Sequence, residues 1–231
     1  MIRRRRRSFI GFFRNLSVVG WLVFVSLIFS FVAFFILANP DSELINNFAL
    51  KSTNILQGKY LWSLITHIFV HGSFVHLFVN MFVLFSLGSL CEKIIGRKRF
   101  LWFYLVSGLF AGGLSVVLTG YFGNTEFGSR VFGSPDIYMV GASGAIFAIA
   151  GLYVILLPKL RFSIIFFPFF SLPAYIMIPA VLFIMWGLSA IFSWPIGNVA
   201  HFGGFLAGIV YGYYLKTKYK RKVDRLQRMF R

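Results

Sequence analysis

The chain is written in long apolar runs broken by short polar knots. Six runs are long enough to be read as membrane-crossing helices, for which about 20 mostly apolar residues are needed. They are roughly Val18–Ala38, Phe74–Leu90, Phe100–Leu118, Gly141–Leu157, Ile164–Phe192 and Val199–Leu215. Because they lie close together, the pattern predicts one all-α integral membrane domain over 18–215, a six-helix bundle. Tails at 1–17 and 216–231 flank it.

The breaks between runs carry their own information. Asn39-Pro40-Asp41 stops the first helix, since proline cannot continue it. The segment that follows, an outer interfacial loop over 39–72, turns apolar in its second half, Tyr60–Val70. Fused to the next run it would make a helix too long for a bilayer. Gly72-Ser73 breaks it, with Ser73 as the expected N-cap. Tyr60 and Trp62 suit headgroup depth. A second outer loop spans Gly120 to Val140, and the fifth run contains Pro168, Pro173 and Pro179, which predicts a kinked, mobile helix. The sixth carries Gly204, Gly208 and Gly212 at four-residue spacing. That small-residue face admits a close neighbour. The fourth run, with Gly144, Ala148 and Gly151, is the expected partner.

Composition strengthens the membrane reading: 58% of residues are hydrophobic and 31 are Phe. Soluble domains run at about 45–50% apolar. With the N-terminus inside, 20 of the 23 Lys and Arg fall on the cytoplasmic side, and only Lys51, Lys59 and Arg130 fall outside. Short-loop basic bias sets topology, so both termini are expected in the cytoplasm of a cell-membrane protein. The net charge of +17 is thereby read as topology signal and contact with anionic lipid, not as nucleic-acid binding. The N-terminal arginines before an apolar run mimic a signal peptide, but the run is too long and lacks a small-residue cleavage site. Cys91 is the only cysteine, which excludes an intrachain disulfide and is read as a packed thiol.

Polar side chains within the runs carry the chemistry, because ionisable groups at membrane depth are costly and mark function. The second, fourth and sixth runs all travel from outside to inside. His76, Ser143 and His201 each lie in the first turn of one of them, within about 10 Å of its start at 1.5 Å per residue. They therefore share one depth. Asn80 follows His76 by four residues and projects from the same helical face. A serine is a weak nucleophile until a base takes its proton, and His201 is the candidate base. His76, Asn80 and the Ser143 N–H are candidate donors to an oxyanion. No carboxylate lies near His201, so the expectation is a Ser-His dyad. His67 and His71 complete the histidines; without a His-Glu-x-x-His pattern they are read as structural hydrogen bonders or water holders near the site, and no metal or other cofactor is expected.

His76-x-x-x-Asn80, Gly141-x-Ser143-Gly144 and Ala200-His201-x-x-Gly204-x-x-x-Gly208 together resemble the motifs of rhomboid intramembrane serine proteases in their basic six-span form. The resemblance covers about Val18 to Leu215. It implies hydrolysis of a peptide bond in or beside a substrate's transmembrane helix, with nucleophile Ser143, base His201, and oxyanion donors His76 and Asn80. Gly141, Gly144, Gly204 and Gly208 would serve close helix packing, and the fifth run the substrate gate. Two positions depart from the family pattern. Trp62-Ser63 stands where Trp-Arg is common, and Phe147 stands where a tyrosine often stacks under the base. Phe147 retains a ring to stack on His201. The alternative is an inactive relative of the same fold that binds client helices. A transporter would want inverted repeats, which this chain lacks.

Overall fold

A computed structural model of the chain describes residues 16–37, 42–164, 167–194 and 196–230. The basic run Arg3–Arg7, Arg14 and the turn Asn39-Pro40-Asp41 lie outside the described residues. Helices stand at all six predicted positions. In chain order they are α1 (Val18–Leu37), α4 (Phe74–Ile95), α5 (Arg97–Phe122), α7 (Ser143–Leu156), α8 (Ala174–Phe192) and α9 (Asn198–Lys218). Four of them, α1, α4, α5 and α8, are long and apolar enough to cross a membrane.

Helices α7 and α9 are not among the four, and α7 organises the rest. Its 14 residues give a length of about 21 Å, short of a hydrocarbon core of about 30 Å. Eleven of the 14 are buried, so neighbouring helices surround it and lipid does not have to be matched along its length. It packs most extensively against α9. A Cβ on Gly204 would collide with the Gly144 carbonyl, and one on Gly208 with the Ala148 carbonyl. Gly151 answers from α7, where a Cβ would strike the Phe205 carbonyl. Backbones this close leave room for nothing larger than hydrogen, as the four-residue glycine spacing predicted.

Between α1 and α4 runs loop 1. It contains a 3₁₀ turn (Glu43–Asn47), strand β1 (Leu50–Lys51), the short helices α2 (Ser52–Leu56) and α3 (Ser63–Thr66), and a second 3₁₀ turn (His67–Phe69). Its apolar second half is two-sided. Leu61, Trp62 and Ile65 are exposed, while Ile68 and Val70 are buried in the core, Ile68 against Gly108 of α5. Ser73 caps α4 as expected, its hydroxyl accepting the His76 N–H at 3.2 Å. β1 pairs antiparallel with β2 (Tyr138–Met139), which follows the short helix α6 (Glu126–Phe132) in the second outer loop. That pairing ties loop 1 to the residues leading into Ser143.

The fifth run folds differently from its expectation as a helix from Ile164. The helix begins only at Ala174, after an antiparallel hairpin of β3 (Arg161–Ile164) with β4 (Phe167–Pro173). The prolines explain the difference. Pro168 and Pro173 cannot donate backbone hydrogen bonds and suit an edge strand better than a helix interior. Pro173 itself serves as the N-cap of α8, while Pro179 sits inside the helix. At the same end of the bundle, the buried Glu92 carboxylate accepts the N–H groups of Val18 (3.0 Å) and Val19 (2.9 Å). It thereby satisfies donors that the start of α1 would leave orphaned. Cys91 beside it is buried. The chain ends in the basic helix α10 (Lys220–Met229), with Val223 buried.

Candidate active site

Ser143 is the first residue of α7, His76 the third of α4 and His201 the fourth of α9. Packing of α7 on α9 brings the Ser143 Oγ to 2.8 Å from the His201 Nε2. At that distance a hydroxyl proton passes directly to the imidazole. His201 is 7% exposed, so the pair is shielded without being sealed. The Phe147 ring stacks on His201 with centroids 4.6 Å apart and planes 26° from parallel. Among the described residues, no carboxylate forms an ion pair with His201. The stacked Phe147 ring instead lies against the face of the imidazole.

The turn before Ser143 is shaped by one glycine. Gly141 has φ of +128°, a conformation that strains residues with a side chain. A Cβ there would also lie 2.9 Å from the Cε1 and Nε2 of His76 and 3.8 Å from the Ser143 Oγ. The Cε1–Nε2 edge of His76 thus packs against Gly141. Asn80 donates from Nδ2 to the His76 carbonyl at 2.9 Å. An amide nitrogen carries two N–H groups, so one remains for another acceptor.

His67 and His71, read from the sequence as structural hydrogen bonders or water holders, bracket the same turn. The His67 carbonyl accepts the Gly141 N–H at 2.9 Å, and the His67 Nδ1 faces the Ser63 carbonyl at 2.8 Å. Ser63, standing where the family often has Arg, is buried, and its own hydroxyl has no hydrogen-bond partner among the described residues. The His71 Nε2 accepts the Ala142 N–H at 3.4 Å, and its ring packs edge-on against His76, centroids 5.0 Å apart. Sequence reasoning passed over two further participants. Ser30 of α1 lies 3.0 Å from the His71 Nδ1. Asn198, three residues before His201, donates to Ser189 of α8 at 2.9 Å. The available signal was a hydroxyl or amide isolated in an otherwise apolar stretch.

Comparison with known proteins identifies the family. The model of the Rhomboid domain matches residues 58–218, well over half of the chain. RHOMBOID-like protein 5 of Arabidopsis thaliana is 32% identical over 179 residues, which cover 78% of this chain and 52% of that protein. Rhomboid protease GlpG of Haemophilus influenzae is 28% identical over 158 residues, covering 68% and 71%. The human presenilin-associated rhomboid-like protein, mitochondrial, is 33% identical over 147 residues, covering 62% and 35%. The chain thus spans about half the length of the plant relative and about a third of the human one. With its domain match, its buried α7 and its membrane-length helices, this chain belongs to the rhomboid family of multi-pass membrane proteins.

Proposed function

We propose that the chain is an intramembrane serine endopeptidase that cleaves a peptide bond in or next to a transmembrane helix of its substrate. The carrying observation is the 2.8 Å contact between the Ser143 Oγ and the His201 Nε2. Support also comes from the Haemophilus relative, which is named a rhomboid protease.

In this reading Ser143 attacks the scissile carbonyl as His201 removes the hydroxyl proton. The new Oγ–C bond converts the carbonyl to an oxyanion. The Ser143 N–H is free to receive it, since the first residues of a helix have no intrahelical acceptor. The N-terminal dipole of α7 favours the same charge, with His76 and the second Asn80 N–H as further donors. Collapse breaks the C–N bond while His201 returns its proton to the departing amine. Water, activated by His201, then hydrolyses the acyl ester and regenerates Ser143. No cofactor takes part in this scheme. The cytoplasmic placement of both basic tails, contact of those tails with anionic lipid and an active site opening to the outer side of the cell membrane belong to the same proposal. They rest on the 20-to-3 division of Lys and Arg.

The test is incubation of the purified full chain in lipid with a transmembrane substrate, comparing wild type, Ser143→Ala and His201→Ala. Cleavage is expected from wild type alone. A fluorophosphonate should label Ser143 and require His201. Equal cleavage by wild type and Ser143→Ala would sink the assignment. A wild type that binds client helices without cutting or labelling them would favour an inactive, client-binding rhomboid.

A further inference from the structure

The residue before the nucleophile poses a problem that loop 1 and α1 solve together. Ala142 is fully buried and stands at the N-cap of α7, so its N–H precedes the helical ladder and needs an acceptor from elsewhere. The acceptor is the His71 Nε2 at 3.4 Å. A backbone N–H can only donate, so Nε2 must present its lone pair. A neutral imidazole that accepts on Nε2 carries its proton on Nδ1. That nitrogen faces the Ser30 Oγ at 3.0 Å, and the Ser30 hydroxyl donates in turn to the Phe69 carbonyl at 3.2 Å. Every proton then has one direction, from Ala142 N–H to His71, from His71 to Ser30, and from Ser30 to Phe69. Ser30 and His71 are both 0% exposed, so bulk water does not reach either.

We propose that Ser30 and His71 form a positioning relay. Ser30 of α1 fixes the tautomer of His71, and His71 holds the Ala142 N–H and, through it, the backbone that presents Ser143. The inference rests on the reading of Ser143 as nucleophile. Neither residue touches the reacting atoms; both act through the turn. Gly141, one residue earlier, is pinned by the His67 carbonyl at 2.9 Å. Loop 1 therefore grips two consecutive N–H groups ahead of the nucleophile. It makes α1, which carries neither member of the dyad, part of the active-site geometry.

An isosteric pair tests this without changing volume. Ser30→Thr keeps a hydroxyl where Ser30→Val places a methyl, so any crowding from the added branch is common to both. With ¹⁵N-histidine in the full chain, wild type and Ser30→Thr should show His71 protonated on Nδ1. Ser30→Val should lose that signature, because a buried donor left without an acceptor is costly. Fluorophosphonate labelling of Ser143 should be about tenfold slower in Ser30→Val than in Ser30→Thr, and kcat should fall with KM unchanged. A purely structural role predicts a lower Tm with equal labelling rates for the folded protein. Equal labelling by the two variants overturns the proposal, as does a wild-type His71 protonated on Nε2. A wild type that neither cleaves nor labels overturns the protease reading instead, and the tautomer measurement still decides the relay on its own.

Discussion

Helices α7 and α9 meet backbone to backbone, whereas α8 stands beside the same site with most of its surface uncovered. Eleven of 14 residues of α7 are buried, against five of 19 in α8. A Cβ on Gly208 of α9 would collide with the Ala148 carbonyl and lie 2.8 Å from the Leu152 N, while one on Gly187 of α8 would meet nothing within 4 Å. What holds α8 near its C-terminal end is a ring contact between Trp186 and Phe202 of α9, centroids 5.7 Å apart, and a few polar contacts. The Trp186 Nε1 donates to the Val131 carbonyl of α6 at 2.8 Å, and Asn198 of α9 reaches Ser189. A nucleophile and base need their separation fixed to a fraction of an ångström, which interlocked backbones provide. A wall facing lipid needs no such precision. Helix α8 is the least buried of the four membrane-length helices, so it has little packing to disrupt if a substrate helix is to approach.

Substitutions that add one methyl on each side of this divide should separate most widely. Gly208→Ala must push α9 away from the α7 backbone, so it is expected to cost about 3 kcal/mol and to abolish fluorophosphonate labelling of Ser143. A Tm equal to wild type would show that the interlock is not what fixes the dyad. Asn198→Ala removes the buried tie between α9 and α8 at a cost of about 1.5 kcal/mol. Cleavage of a membrane-embedded substrate should change more than labelling by a small fluorophosphonate; identical changes in both would mean that the tie steadies His201 rather than α8. Trp186→Phe deletes the indole N–H, a loss of about 1 kcal/mol, together with part of the ring that meets Phe202. Its Tm shift should add to that of Asn198→Ala if the two contacts hold α8 independently. Replacing Phe147 with Leu removes a stacking worth about 1 kcal/mol and should slow labelling about fivefold with little change in Tm. Unchanged labelling would relieve Phe147 of any orienting role. At the small end, Gly187→Ala should leave activity intact and raise stability by about 0.5 kcal/mol through helix propensity. A clear loss would mean that α8 packs against something in the membrane.

Much of the site was legible because its logic is local. Apolar run length announced the helices, and first-turn positions put Ser143, His201 and His76 at one depth by rise per residue alone. Glycines at four-residue spacing named the α7–α9 contact before any coordinates did. The hairpin over Arg161–Pro173 was hidden. An aromatic, apolar segment satisfies strand and helix patterns alike, and only its prolines argue for one over the other. The shortness of α7 was equally obscure, since burial by neighbours, not composition, relieves a helix of matching the bilayer.

The sequence by itself determined which side chains were available for chemistry and how far each lies from the end of its helix, because rise and periodicity are properties of the backbone. It also determined the sidedness expected of the chain, because Lys and Arg cost too much to carry across. Only the tertiary structure decided that the Ser143 hydroxyl sits 2.8 Å from the His201 imidazole. It alone placed Phe147 to stack on that imidazole, and it alone joined Ser30 to the nucleophile turn through His71. Those three facts depend on rotation about helix axes and on contacts between residues far apart in the chain. Close packing sets such quantities, and no local pattern encodes them.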